Sequence, residues 1–149
     1  MKKLIKLINY LFLVKEIVSK EGVVHFRRYR LLDTPWLRIY IHNLLVSDED
    51  KHMHNHPWSF FTLLLKGSYE QLFYIKSKVG ADCGGTIKMY ERDSFTMGKN
   101  AYHKITLLTP TAWTLFFAYG KKSSWGYLLD DKSHIDFKDY RSLKNDGKL

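Results

Sequence analysis

Lys51-His52-Met53-His54-Asn55-His56-Pro57-Trp58 places three of the chain's seven histidines two residues apart and closes the run with a proline. In an extended segment side chains alternate between faces, so His52, His54 and His56 are expected to point the same way. One metal ion cannot use all three. Residues i and i+4 on a strand lie roughly 13 Å apart, whereas metal to nitrogen bonds are about 2.0–2.1 Å. The expected unit is one adjacent pair, His52 with His54 or His54 with His56, completed by a ligand from a distant strand. A histidine cluster at a strand entrance can also be a solvated polar stretch without a role, so its meaning depends on the sequence around it.

Around the cluster the pattern has period two. Residues 23–30, 36–45, 58–66, 69–76, 86–90, 102–108, 113–119 and 125–129 are rich in β-branched and aromatic residues and bounded by Gly, Pro, Asp or Ser, which predicts short strands in a sandwich or barrel. Lys66-Gly67-Ser68 and Gly120-Lys121-Lys122-Ser123 read as hairpin turns, and Val79 to Gly85 as a more open loop. Along Trp36 to Leu45, Leu37, Ile39 and Ile41 share one face and Arg38, Tyr40 and His42 the other. That polar set faces either water or a polar barrel interior.

Ahead of the strands, Met1 to Lys20 has apolar residues from Leu4 to Val18 and a polar stripe of Lys2, Lys6, Asn9, Glu16 and Lys20 at helical spacing, ended by Gly22. The expected organisation is an N-terminal helix over residues 1–22, packed on the barrel or a partner, and one β-barrel domain over 23–149. Lys15 and Glu16 interrupt the apolar run, so a secretory leader or a membrane span is not expected, and a cytoplasmic location is.

At 149 residues, 45% hydrophobic and 15% aromatic, the chain can bury a core without disulfides, and its lone Cys83 can form no internal one. The formal charge of +9 comes from 24 Lys+Arg against 15 Asp+Glu, which suits a polyanionic partner. The charges are dispersed, however, apart from Arg27-Arg28-Tyr29-Arg30 and Lys121-Lys122, and no nucleic-acid module is recognisable. Nucleic acid or an anionic membrane is therefore not the favoured partner.

His54-x-His56, Gly67 ten residues beyond the pair, and a later histidine in Asn100-Ala101-Tyr102-His103 resemble the cupin superfamily. Its members are small jelly-roll barrels, double-stranded β-helices, with motifs G-x5-H-x-H-x3,4-E-x6-G and G-x5-P-x-G-x2-H-x3-N. Aligned on Gly67, the first motif selects His54 and His56, and the resemblance makes His103 the third ligand. Phe60 stands where the motif's glutamate is expected, its opening glycine is missing, and Gly98 and Asn100 replace the Pro and Gly of the second motif. His56-Pro57-Trp58, Gly67-Ser68-Tyr69-Glu70 and Trp125-Gly126-Tyr127 are also similar to small cupins without an established activity.

Loss of the glutamate implies a three-histidine site like those of the superfamily's Fe(II) dioxygenases, with Zn, Ni or Mn as alternative metals. His52 or Glu70 would be substitute or additional ligands. Around the metal, Tyr40, Tyr69 and Glu70 are candidate catalytic groups. Arg38 and Arg92 are candidate anchors for a substrate carboxylate or phosphate, and Trp113 and Trp125 candidate pocket walls. The expected function is a metal-binding cupin, an Fe(II)-dependent dioxygenase on a small polar molecule. A non-redox isomerase or epimerase on sugars or sugar nucleotides is the alternative, and a non-enzymatic binding module the next. The expected partners are the small-molecule substrate and a second copy of the chain.

Overall fold

The computed structural model describes residues 12–19, 21–120 and 122–149. They form strands β1 (Leu13–Val18), β2 (Val24–Asp33), β3 (Leu37–Leu44), β4 (Met53–His54), β5 (Ser59–Lys66), β6 (Tyr69–Ile75), β7 (Cys83–Met89), β8 (Ser94–Met97), β9 (Ala101–Leu107), β10 (Ala112–Tyr119), β11 (Gly126–Leu128) and β12 (His134–Asp136), then helix α1 (Phe137–Asn145). Two six-stranded antiparallel sheets result, in the orders β1-β2-β3-β10-β5-β8 and β12-β11-β4-β9-β6-β7. This is the expected jelly roll.

Period two does the folding. On β10, Ala112, Thr114, Phe116 and Ala118 are buried while the residues between them are half-buried on the outer face, and β5 repeats the pattern with Phe60, Thr62 and Leu64. Their inward side chains make two apolar clusters. One holds Tyr40, Phe60, Met97, Ala101, Phe116 and Ala118; the other holds Leu64, Tyr69, Met89 and Ala112. Tyr40 and His42 of β3 are buried between the sheets, so the polar face of that strand lines the interior rather than meeting water.

Several sequence expectations are corrected. Leu13–Val18, the second half of the expected N-terminal helix, is an edge strand paired with β2. Its Val14, Ile17 and Val18 are β-branched, and pairing with β2 supplies backbone partners that a helical pattern does not reveal. The earlier part of that helix, residues 1–11, lies outside the described residues. The described helix is at the other end of the chain, where Asp136 accepts the Lys138 N–H as an N-cap and Tyr140 is the buried anchor. Finally, residues 66–68 and 120–123 are not hairpins. β5 pairs with β10 and β8, while β6 pairs with β7 and β9, so Gly67 carries the chain from one sheet to the other, as the second turn does from β10 to β11. The expected open loop at 79–85 is shorter: it does join a pairing couple, β6 and β7, but Cys83, Gly84 and Gly85 already belong to β7.

Gly67 has φ +86°, and a Cβ there would lie 2.3 Å from the Thr111 carbonyl oxygen; at Gly120, with φ +83°, a Cβ would meet nothing within 4 Å. Both conformations penalise an L side chain, but only the first adds a backbone clash. Gly67→Ala is therefore expected to lower unfolding free energy by about 1–3 kcal/mol, and more than Gly120→Ala does. Urea denaturation of both variants checks this; equal losses would contradict the close approach.

Candidate metal centre

His54 is held on three sides. It sits on the two-residue strand β4, opposite His103 of β9 and Tyr127 of β11. Beyond it Asn55 fixes the chain: its N–H donates to the Gly126 carbonyl at 3.0 Å, its Oδ1 accepts the Gly126 N–H at 2.7 Å, and its Nδ2 donates to the Lys99 carbonyl at 2.8 Å. With Asn55 closed on both sides, His54 and His56 flank it and turn toward His103. The ring centroids are 4.8 Å apart for His54 and His103, 5.0 Å for His56 and His103, and 5.2 Å for His54 and His56. One ring nitrogen from each lies within 4.8 Å of the others. The Nε2 atoms of His56 and His103 are 2.8 Å apart, close to the roughly 3 Å that two nitrogens bound to one ion at about 2.1 Å would show.

Gln71 orients His103. Its Nε2 faces the Met97 sulfur and its Oε1 accepts a hydrogen bond from His103 Nδ1 at 3.2 Å, which puts the proton on Nδ1 and leaves the Nε2 lone pair toward the other histidines. Phe60 and Phe116 close the apolar side, with the Phe60 ring 4.8 Å from His56 and 5.7 Å from His103. Burial, reinforced by the neighbouring histidines, holds His56 and His103 well below the usual imidazole range. Both are therefore neutral at pH 7, as metal binding requires.

The other residues singled out in the sequence are dispersed. His52 does not join the cluster: only Met53 and His54 are extended, so the alternation does not reach it. Its Nδ1 meets the Tyr140 hydroxyl at 3.1 Å and its Nε2 lies 3.3 Å from Asp130. It pins α1 instead. Glu70 faces away from the site; the inward residues of β6 are Tyr69 and Gln71, one position either side. Tyr69 lies in the second apolar cluster with its hydroxyl pKa pushed up to about 12 by burial, whereas Tyr40 is inside, stacked on His42 at 6.0 Å. Arg38 pairs with Asp33 at 3.3 Å and lies 4.8 Å over Trp58. Arg92 is exposed on the β7–β8 turn. Trp113 points outward from β10 and stacks on Tyr29, and Trp125 stacks on Phe137 of α1; neither ring contacts the histidines.

Asn55, Gln71, Phe116 and His42 were not singled out as site residues. Gln71 had a usable signal, since period two from Tyr69 carries it to the inner face. Asn55 had none, because its role depends on Gly126 and Lys99, far away in sequence.

The sequence matches no protein-family model and no curated protein sequence. Solved structures do share its fold. Hydroxypropylphosphonic acid epoxidase from S. wedmorenis is 15% identical, with a TM-score of 0.51 over 70% of this chain and 56% of its own. Fe(II)-HppE with an alternative substrate is 15% identical, with a TM-score of 0.53 over 70% of this chain and 55% of its own. KdgF from Halomonas sp. is 14% identical, with a TM-score of 0.52 over 74% of this chain and 94% of its own. The chain thus spans little more than half the length of the first two. These likenesses establish a cupin-type fold. No described helix is long and apolar enough to cross a membrane.

His42, His56 and His103 each sit well below the usual imidazole range, first because burial penalises the charged form. The unfolded chain therefore takes up protons near pH 6.5 that the folded chain refuses, and stability falls as pH drops below about 6.5 toward the folded values. Unfolding of metal-free protein at pH 7.5 and pH 5.5 is expected to show the loss. His42→Gln, which removes one such group, is expected to flatten the slope; an unchanged slope would contradict the assignment at His42.

Proposed function

We propose that the chain is a metal-dependent cupin in which His54, His56 and His103 hold one divalent ion, Fe(II) being favoured, and that it acts as a dioxygenase on a small polar molecule. The observation that carries the reading is the convergence of three imidazoles, one of them with its proton committed to Gln71. Three neutral ligands leave the 2+ charge of a bound ion uncompensated, so that a chelating anionic substrate and O2 can both be attracted to its open positions. Similar folds solved as Fe(II) and Co(II) forms of HppE support the choice of metal class.

The chain's own part is to orient and to enclose. Gln71 keeps the His103 proton on Nδ1, Asn55 fixes the backbone between two ligands, and Phe60 and Phe116 keep water from the apolar side. The isomerase reading needs a histidine backed by a carboxylate as general base. Among the described residues the histidine–carboxylate pairs are His25 with Glu49 and His52 with Asp130, and neither includes a member of the cluster.

Elemental analysis of protein purified anaerobically without an affinity tag tests this. The wild type is expected to carry near-stoichiometric metal, and His54→Ala and His103→Ala to lose it. Gln71→Ala is expected to fold and to bind the metal about 10–100-fold more weakly. Wild-type protein that takes up no metal even on reconstitution would overturn the proposal.

A further inference from the structure

One row of side chains crosses the inner face of the first sheet. Lys15 of β1 is in register with Arg28 of β2, Arg28 with His42 of β3, and His42 with Thr114 of β10. Like charges directly opposite across a strand pair destabilise it, yet Lys15 and Arg28 stand so. Lys15 is exposed at the rim of the sheet and Arg28 lies deeper, so two cations stand side by side on this face. Among the described residues neither has an ion-pair partner. Glu16, next to Lys15 on β1, is engaged by Arg27 at 2.6 Å.

Arg28 is the informative member. Its Nε donates to His42 Nε2 at 3.0 Å, and its guanidinium lies 4.9 Å over the Tyr40 ring and 5.6 Å over Phe26. Those contacts fix the plane of the group and use one of its five donors. Among the described residues no acceptor meets Nη1 or Nη2, and the residue is partly exposed. The charge is felt at His56, and the Phe116 ring lies between, 4.6 Å from His42 and 5.9 Å from His56. A half-buried guanidinium held rigidly, with its fork free and no carboxylate to neutralise it, is built to receive an oxyanion in two parallel hydrogen bonds.

We infer that Arg28, with Lys15 beside it, is an anion subsite of the barrel, taking the carboxylate or phosphoryl group of a small substrate whose other end reaches His54, His56 and His103. The last clause rests on the proposed metal centre; the subsite itself does not. The anchoring role expected of Arg38 or Arg92 falls to Arg28 because Arg38 already has Asp33 and Arg92 is on an outer turn.

The test is titration of metal-free protein with sodium phosphate and, separately, sodium acetate at fixed ionic strength, followed by thermal unfolding and by the NMR shift of the Arg28 Nε–H. Saturable binding of at least one anion is expected, weakened about tenfold or more in Arg28→Met, less in Lys15→Gln, and not at all in Lys138→Gln on the exposed side of α1. If Arg28→Met does not fold, Arg28→Lys, which keeps the charge and loses the fork, replaces it with the same direction of effect. Equal affinity in wild type, the Arg28 variant and Lys15→Gln would overturn the subsite, as would the absence of saturable binding of either anion. Metal analysis on the same samples separates the two readings. Normal metal without anion binding removes the subsite alone, whereas Arg28-dependent anion binding in a protein that loads no metal upholds the subsite and removes the metal centre.

Discussion

The carboxamide of Asn55 is the constraint on which the site depends. A strand of two residues has too few ladder hydrogen bonds to place a ligand, and β4 is such a strand. Asn55 supplies the missing partners by bonding Gly126 through backbone and side chain and Lys99 through its amide. Charge-neutral hydrogen bonds of this kind contribute about 1 kcal/mol each, but an unmet buried amide costs more. The geometry of His54 and His56 is thus set by three bonds that involve neither histidine.

The barrel interior follows a division of labour. The first sheet contributes Tyr40, Phe60 and Phe116 to an apolar wall and, farther along, His42 and Arg28 to a polar one. The second sheet contributes His54, His103 and Gln71. An interior carrying polar groups is stable when they satisfy one another, as Arg28 does with His42 and His103 with Gln71. Among the described residues, Arg38 Nη1 and Trp58 Nε1 are buried without a partner.

Much of this was legible in the chain. Period two from Val23 onward announced a sandwich or barrel and the run at 52–56 announced a histidine pair, because both are patterns of spacing; the resemblance to cupins added His103. What was not legible depended on pairing at long range. Leu13–Val18 reads as helix by its apolar positions and becomes strand because β2 lies beside it. The choice between Glu70 and Gln71 is a one-residue question of register, which alternation answers only once the start of β6 is known. Arg28 was visible as part of a basic run, Arg27 to Arg30, and that context hid it: its neighbours on either side face the opposite way, and Arg30, on the same face, is exposed at the strand's outer end. The function of α1 depends on His52, whose place in the histidine run suggested a ligand and not a brace.

That brace ties two parts of the molecule together. His52, two residues before His54, holds the Tyr140 hydroxyl, while Tyr140 stacks on Tyr127, the cross-strand neighbour of His54, at 3.7 Å. The helix packs on the same two strands, β4 and β11, that meet at His54. A helix of nine residues near the C-terminus thus shares its contacts with the two paired strands on which His54 and Tyr127 stand, so that loss of the Tyr140 ring would be felt at the backbone that positions His54.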